Sequence, residues 1–289
     1  MQDSYMNMNG KTVLITGATS GIGLEAAVML ARQGAHTVIV GRNPAKTEAC
    51  LAEIRKRAQS ETVESLLCDF SSQDSIRQMA EEFGKRYSRL DVLINNAGTV
   101  FAERTLSEDG IEATFAVNHL GYFLLTQLLL ETILENAPAR IVNVASAAHY
   151  QGRLDFEDLG MEKDYGILRA YARSKLCNVL FTRELARRLE GTNVTVNALH
   201  PGTVATHIWD GAPGWARPIL ELSKWLFMIS PARGGKRIAY LAMSDDVAGV
   251  TGQYFEKNRT KKPSRLARDE ALAKRLWDES LRLTGLAKD

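Results

Sequence analysis

Residues 12–23 read TVLITGATSGIG, and the fold turns on them. The run TVLIT, Thr12 to Thr16, is the kind of β-rich apolar stretch that forms a buried strand. It leads into a turn with glycines at Gly17, Gly21 and Gly23, and then into a helix read from about Ile22 to Arg32. A glycine-rich turn between strand and helix lets backbone N–H groups approach a pyrophosphate, while the helix N-terminus adds partial positive charge. Thr19, Ser20 and Ile22 lie in the same turn and are counted with the candidate phosphate cradle. The glycine spacing departs from the usual G-x-G-x-x-G, and glycines also serve plain turns and caps. The strand before and the helix after favour the cradle.

Working outward, β-rich runs recur at 36–40, 63–67, 91–95, 140–144, 194–199 and 252–255, with helix-length segments between them. Strands alternating with helices predict a parallel sheet covered on both faces, which requires nearly continuous apolar strands. The expectation is one α/β domain over residues 1–289, a Rossmann-type doubly wound sheet of about seven parallel strands with helices on both faces. No linker, repeat or shift of composition divides the chain. One segment differs in texture: 209–230, WDGAPGWARPILELSKWLFMIS, where Pro and Gly interrupt a run rich in Trp, Leu, Phe and Met.

The carboxyl end of the second strand faces the adenosine ribose in such a fold, and a carboxylate there would accept from a 2′-hydroxyl. This chain has Gly41, Arg42 and Asn43 instead. A guanidinium suits a phosphate, so NADP(H) is favoured over NAD(H), with Arg42 and Asn43 as cofactor-binding candidates. Asp69, with Phe70 after it, follows the third strand, where it either bonds an adenine amino group or caps a helix.

Composition bounds the partners. With 36 Lys plus Arg against 34 Asp plus Glu, the net charge of +2 gives no electrostatic case for nucleic acid. The basic run KNRTKKPSRLAR at 257–268 reads as a solvated loop. Cys50, Cys68 and Cys177 are far apart and odd in number, as expected of reduced thiols, and the five histidines show no metal-binding pairing. The polar start MQDSYMNMNGK lacks a signal peptide, and GYFLLTQLLLETIL, broken by Gln127 and Glu131, is too short to cross a bilayer. No export, no transmembrane segment and a cytoplasmic location are expected.

YARSK, Tyr171 to Lys175, lies within an amphipathic helical window and reads either as chemistry or as a snorkelling Lys beside a half-buried aromatic. Residues four apart share a helix face, so a phenol and an amine reach one small volume. A phenol with a pKa of about 10 exchanges protons poorly near neutrality, and a nearby cation lowers it. Tyr150 is a second phenol nearby, but Leu154 stands four residues on, so it lacks the amine.

Taken in order, TGATSGIG, Asp69, NNAG at 95–98, Asn118 in VNHLG, Ser146 ending IVNVAS, the pair Tyr171 and Lys175, and HPGTVAT from His200 to Thr206 resemble the short-chain dehydrogenase/reductase family over almost the whole chain. CDFSS, SAAHY, RAYARSKLCNVLFTREL and RLWDESLRLTGL resemble its retinol dehydrogenase-like branch, and the N-terminal membrane anchor of many animal members is not expected here. The resemblance implies that Tyr171 is the general acid for carbonyl reduction, that Lys175 lowers its pKa and holds the nicotinamide ribose, that Ser146 bonds the substrate oxygen, and that Asn118 orders a water chain to Lys175. It further implies that Asn96, Ala97 and Gly98 lie under the adenine side, that Pro201 and Gly202 bend the chain beside the nicotinamide, that Thr206 bonds its carboxamide, and that Ile22 and Val204 flank the ring. The apolar residues of 209–230 fall where the family places a variable substrate lid, at about 205–235. They suggest a lipophilic carbonyl or alcohol such as a retinoid, steroid or long-chain aldehyde, or else they pack against the sheet or a second subunit. The implied protein is an NADP(H)-dependent oxidoreductase, a homodimer or homotetramer through helices at 110–135 and 166–190. The alternatives are an idle NADP(H)-sensing scaffold and an NAD-dependent alcohol dehydrogenase of the same family.

Overall fold

The computed structural model describes residues 5–202 and 229–287. Seven strands fall on the expected runs: β1 Thr12–Thr16, β2 His36–Gly41, β3 Val63–Leu67, β4 Val92–Asn95, β5 Ala139–Val144, β6 Val194–His200 and β7 Tyr254–Glu256. An eighth, β8 Arg259–Thr260, pairs antiparallel with β7 and lies in the basic run read as loop. The turn between them is made by Lys257 and Asn258 at φ 50° and 61°, and both β8 residues are exposed, so no apolar pattern announces the strand. The sheet order is β3-β2-β1-β4-β5-β6-β7-β8. The first seven strands are parallel, and the winding reverses between β1 and β4. A crevice opens outside the carboxyl ends at such a reversal.

Alternation along the strands divides the core into two layers. Val13 and Ile15 of β1, with Ile39 and Ile94, pack under α1 Gly21–Arg32 and α2 Pro44–Ala58. Leu14, Val38 and Leu93 face the opposite layer, formed by α3 Gln73–Arg86, α5 Gly121–Glu135 and α6 Ile167–Arg188. The short turn α4 Ala113–Phe115 leads into a π-helical turn, Ala116–Leu120, and then directly into α5. After the undescribed stretch come α7 Pro231–Met243 and α8 Glu270–Leu283.

Two expectations change. The helical run Ala113–Glu135 is long and apolar enough to cross a membrane, longer than the isolated GYFLLTQLLLETIL because two turns precede it. Its most apolar window is 83% buried inside the fold, where it packs against the sheet and α3. The stretch assigned to a lid also ends sooner than 235. Residues from Pro231 belong to α7, and Gly235 is pressed so closely on α1 that a Cβ would stand 2.6 Å from Cβ of Glu25. Residues 205–228 of the lid, Val204 and Thr206 lie outside the described residues.

Candidate active site

The glycine turn is built to bring backbone close. Gly17 and Gly21 adopt φ of 65° and 57°, in the left-handed region that favours glycine. A Cβ on Gly17 would stand 2.6 Å from Cα of Ala97, and one on Gly23 would stand 2.5 Å from Asn96 Nδ2. That second strand end clamps the turn: Asn96 Nδ2 donates to the carbonyls of Thr16 at 2.8 Å and Gly17 at 3.0 Å. Thr16 Oγ1 in return accepts from the backbone of Asn96 and Ala97, each at 2.9 Å. Asn96, Ala97 and Gly98 thus line the cleft and also fix its floor. Ser20 precedes α1 without capping it through its side chain, so its hydroxyl does not occupy the first-turn amides.

At the ribose end, Arg42 and Lys46 both line the cleft beyond Gly41, and Arg42 Nη1 lies 3.7 Å from Asp69 Oδ2. Lys46, in the first turn of α2, was missed in the sequence. Asn43 does not line the cleft: its side chain accepts from Lys46 N at 2.9 Å and caps α2 ahead of Pro44. Asp69 is not a helix cap, because Ser72 caps α3. Its Oδ1 instead accepts from the backbone and hydroxyl of Ser71 at 2.9 and 2.7 Å, which aims the carboxylate at the cleft beside Phe70.

The other end of the cleft, about 700 Å³ in volume, holds Ser146, Tyr171 and Lys175, with His200, Pro201 and Gly202 beside them. Helix α6 carries the Tyr–Lys pair, and Lys175 Nζ stands 5.6 Å from the Tyr171 ring centre and 5.7 Å from that of Tyr122. The amine is buried and donates to the Val144 carbonyl at 2.9 Å. Burial pulls its pKa down to about 7. In the protein alone, loss of water holds the Tyr171 hydroxyl above its ordinary value, and its hydrogen bond with Ser146 works the other way.

Ser146 leaves β5 in extended backbone and caps the 3-10 turn Ala147–Gln151, its Oγ accepting from Ala148 N at 3.2 Å. It therefore both caps a helix and meets Tyr171. Asn118 sits in the π-helical turn with its side chain committed to the backbone: Nδ2 donates to the Thr99 carbonyl at 2.9 Å, and Oδ1 accepts from Thr99 N at 2.8 Å. A further bond reaches Ser174 Oγ on α6 at 3.1 Å. The Asn118 side chain thus positions the strand-end loop against α6 and does not line the cleft. The rival phenol Tyr150 is directed elsewhere, donating to the Lys262 carbonyl at 3.0 Å. Sequence reasoning also missed Phe101, Leu106 and Val117, apolar members of the cleft wall supplied by the loop after β4 and the π-helical turn. Among the described residues no group of His, Cys, Asp and Glu is placed to hold a metal.

These residues fit a dinucleotide. The glycine floor is a cradle that any Cβ would fill, a helix start faces it, two cations mark one end and a phenol–amine–hydroxyl set marks the other. The sequence profile described as short chain dehydrogenase matches residues 11–215. The chain belongs to the short-chain dehydrogenase/reductase family. It is 45% identical to retinol dehydrogenase 14 of Mus musculus over 97% of this chain and 88% of that protein. With retinol dehydrogenase 13 of Homo sapiens it shares 43% identity, over 98% of this chain and 87% of that one. The fold matches a crystal structure of an uncharacterized protein from Mycobacterium Paratuberculosis with a TM-score of 0.79 at 32% identity, covering 97% and 96% of the two chains. A short chain dehydrogenase from Escherichia coli CFT073 complexed with NADPH matches with a TM-score of 0.69 at 26% identity, covering 86% of this chain and 97% of that one. The short-chain dehydrogenase/reductase described here is thus an oxidoreductase of the retinol dehydrogenase type, acting on alcohol or carbonyl groups with a nicotinamide cofactor.

Proposed function

We propose that this oxidoreductase uses NADP(H) and exchanges a hydride with a lipophilic carbonyl or alcohol of the retinoid, steroid or long-chain aldehyde kind. The observation that carries the cofactor reading is the pair of cations, Arg42 and Lys46, lining the cleft just past β2 where an acceptor for a 2′-hydroxyl would otherwise stand. The NADPH bound by the Escherichia coli relative supports it. Bound NADPH supplies the hydride. Tyr171 gives its proton to the carbonyl oxygen and takes it back in the reverse direction. Ser146, already bonded to Tyr171, donates to the same oxygen and stabilises the charge that develops there. Lys175, anchored on Val144, would hold the nicotinamide ribose and pass a proton from solvent on to Tyr171. Asn118 keeps Thr99 and Ser174 in register around it.

The lipophilic substrate rests on the apolar wall at Phe101, Leu106 and Val117 and on the composition of 205–228, which includes Trp209, Trp215 and Trp225. A cytoplasmic homodimer or homotetramer completes the reading.

The test is NADPH consumption across carbonyls graded from small and polar to long and apolar, with Tyr171→Phe and Arg42→Ala alongside. Turnover should fall by about two to four powers of ten in Tyr171→Phe with NADPH binding kept. Arg42→Ala should weaken NADPH far more than NADH. Normal turnover in the first variant, or equal losses in the second, would remove the corresponding assignment.

A further inference from the structure

A buried histidine stands behind Ser146 and takes no part in the chemistry above. His149 lies inside the 3-10 turn that Ser146 opens and is fully enclosed. Its Nδ1 is 2.7 Å from the Ser146 carbonyl oxygen, which also accepts from the His149 backbone N–H at 3.1 Å. At the opposite edge of the ring, the backbone N–H of Ser264 reaches Nε2 at 3.3 Å. An amide N–H can only donate, so Nε2 is the acceptor and the ring proton sits on Nδ1, directed at Ser146. Burial lowers the ring's pKa and keeps it neutral.

Nothing leaves the ring room to swing. Tyr150 and Tyr254 pack on it with centres 4.0 and 4.6 Å away. The turn ends at Gly152, where a Cβ would stand 2.6 Å from both the Ala172 carbonyl oxygen and Leu176 Cβ on α6, one residue beyond Tyr171. Ser264 belongs to the basic run 257–268, which the function did not absorb. That run is fastened to the same turn and to β7 beside it: Tyr150 Oη donates to the Lys262 carbonyl at 3.0 Å, and Lys261 N donates to the Tyr254 carbonyl at 2.8 Å.

We propose that His149 is a positioning residue for Ser146, and that the docked segment 261–264 selects the Nδ1–H tautomer that does the positioning. Two donors from His149 on one carbonyl fix the backbone of Ser146 where β5 becomes the turn, and so fix the direction of Oγ toward Tyr171 and the substrate oxygen. The inference rests on the reading of Ser146 as donor to that oxygen.

The first measurement needs only the unaltered chain: ¹⁵N-histidine NMR at pH 7, with the His149 ring assigned by its contacts to Tyr150 and Tyr254. A neutral ring protonated on Nδ1 is expected, and one protonated on Nε2 overturns the proposal. The second compares His149→Asn, His149→Gln and His149→Phe with Ser146→Ala, using NADPH and the fastest carbonyl of the graded panel. The Asn amide nitrogen takes the place of Nδ1, whereas the Gln side chain reaches only the Nε2 position. Asn should stay within about threefold of the parent kcat. Gln and Phe should lose about 10- to 100-fold in kcat, with substrate KM and NADPH affinity changed less than about threefold. Retained NADPH binding shows that each variant is folded. A Phe variant at parental kcat, or an Asn variant as slow as Phe, overturns the proposal. Parental kcat in Ser146→Ala would instead overturn the reading of Ser146, an outcome separable from the tautomer result.

Discussion

Lys175 should cost the folded protein stability that a neutral side chain would not. The amine is 3% exposed, its bond is to a neutral carbonyl, and burial accounts for its drop from 10.5 to about 7. A lysine charged up to pH 10.5 when unfolded but only to about 7 when folded penalises the fold by about 4 kcal/mol at pH 7. Lys175→Met keeps the length of the stem and removes the charge. It also removes the bond to Val144, whose carbonyl retains Asn178 Nδ2 at 3.4 Å, an offset of about 1 kcal/mol. The variant should therefore be more stable than its parent by about 3 kcal/mol at pH 7. The sign with pH follows from proton counts. Between pH 7 and 10.5 the unfolded parent binds the extra proton, so parental stability rises with pH and the advantage of the variant shrinks toward nothing. Urea denaturation of both cofactor-free proteins at pH 6, 7 and 9 measures this. A variant no more stable than its parent at pH 7, or a difference that does not narrow at pH 9, would refute the reasoning.

Two further substitutions probe the scaffold around the site. Gly17→Ala forces a side chain into a left-handed φ and against the Ala97 backbone at 2.6 Å; it should lose about 3 kcal/mol or more and weaken NADPH binding, and wild-type values for both in denaturation and titration would contradict the cradle. Glu112 is wholly buried, accepts from Thr114 N and Phe115 N, and pairs with the buried Arg173 at 2.7 Å; Glu112→Ala should cost about 3–5 kcal/mol in urea denaturation, and adding Arg173→Met should recover much of it, so a double variant as unstable as the single one would be a contrary result.

Most of the sheet could be read in advance because burial on both faces leaves little choice of residue, and runs such as TVLIT and RIVNV advertise it. β8 carries no such mark: it is two exposed residues, Arg259 and Thr260, and its turn uses Lys and Asn where glycine would have signalled a hairpin. The π-helical turn is equally silent, since one extra residue in a helix leaves the apolar pattern nearly unchanged. Asn43 was misread as a ligand although Asn before Pro44 is a helix-start signal, a case of one residue type serving two purposes. Tyr171, Lys175 and Ser146 were picked out through the family resemblance, since a Tyr and a Lys four apart on a helix occur for many reasons. The commitment of Asn118 to Thr99 and Ser174 depends on contacts between distant segments, which spacing along the chain does not encode.

Helix α6 has a consequence for how such a protein can change over time. Fifteen of its 22 residues are buried, among them polar groups tied to β5 and to Glu112, and apolar ones packed with Trp277 of α8. The helix that presents Tyr171 and Lys175 is also a central beam of the interior. A substitution that changes the shape of a buried side chain here is felt in the packing of the neighbouring elements. Changes of shape and loss of stability are therefore linked along this helix, and the part of the loop after β4 around Phe101 and Leu106, which contributes wall without carrying the core, is the place where new substrates can be accommodated at little structural risk.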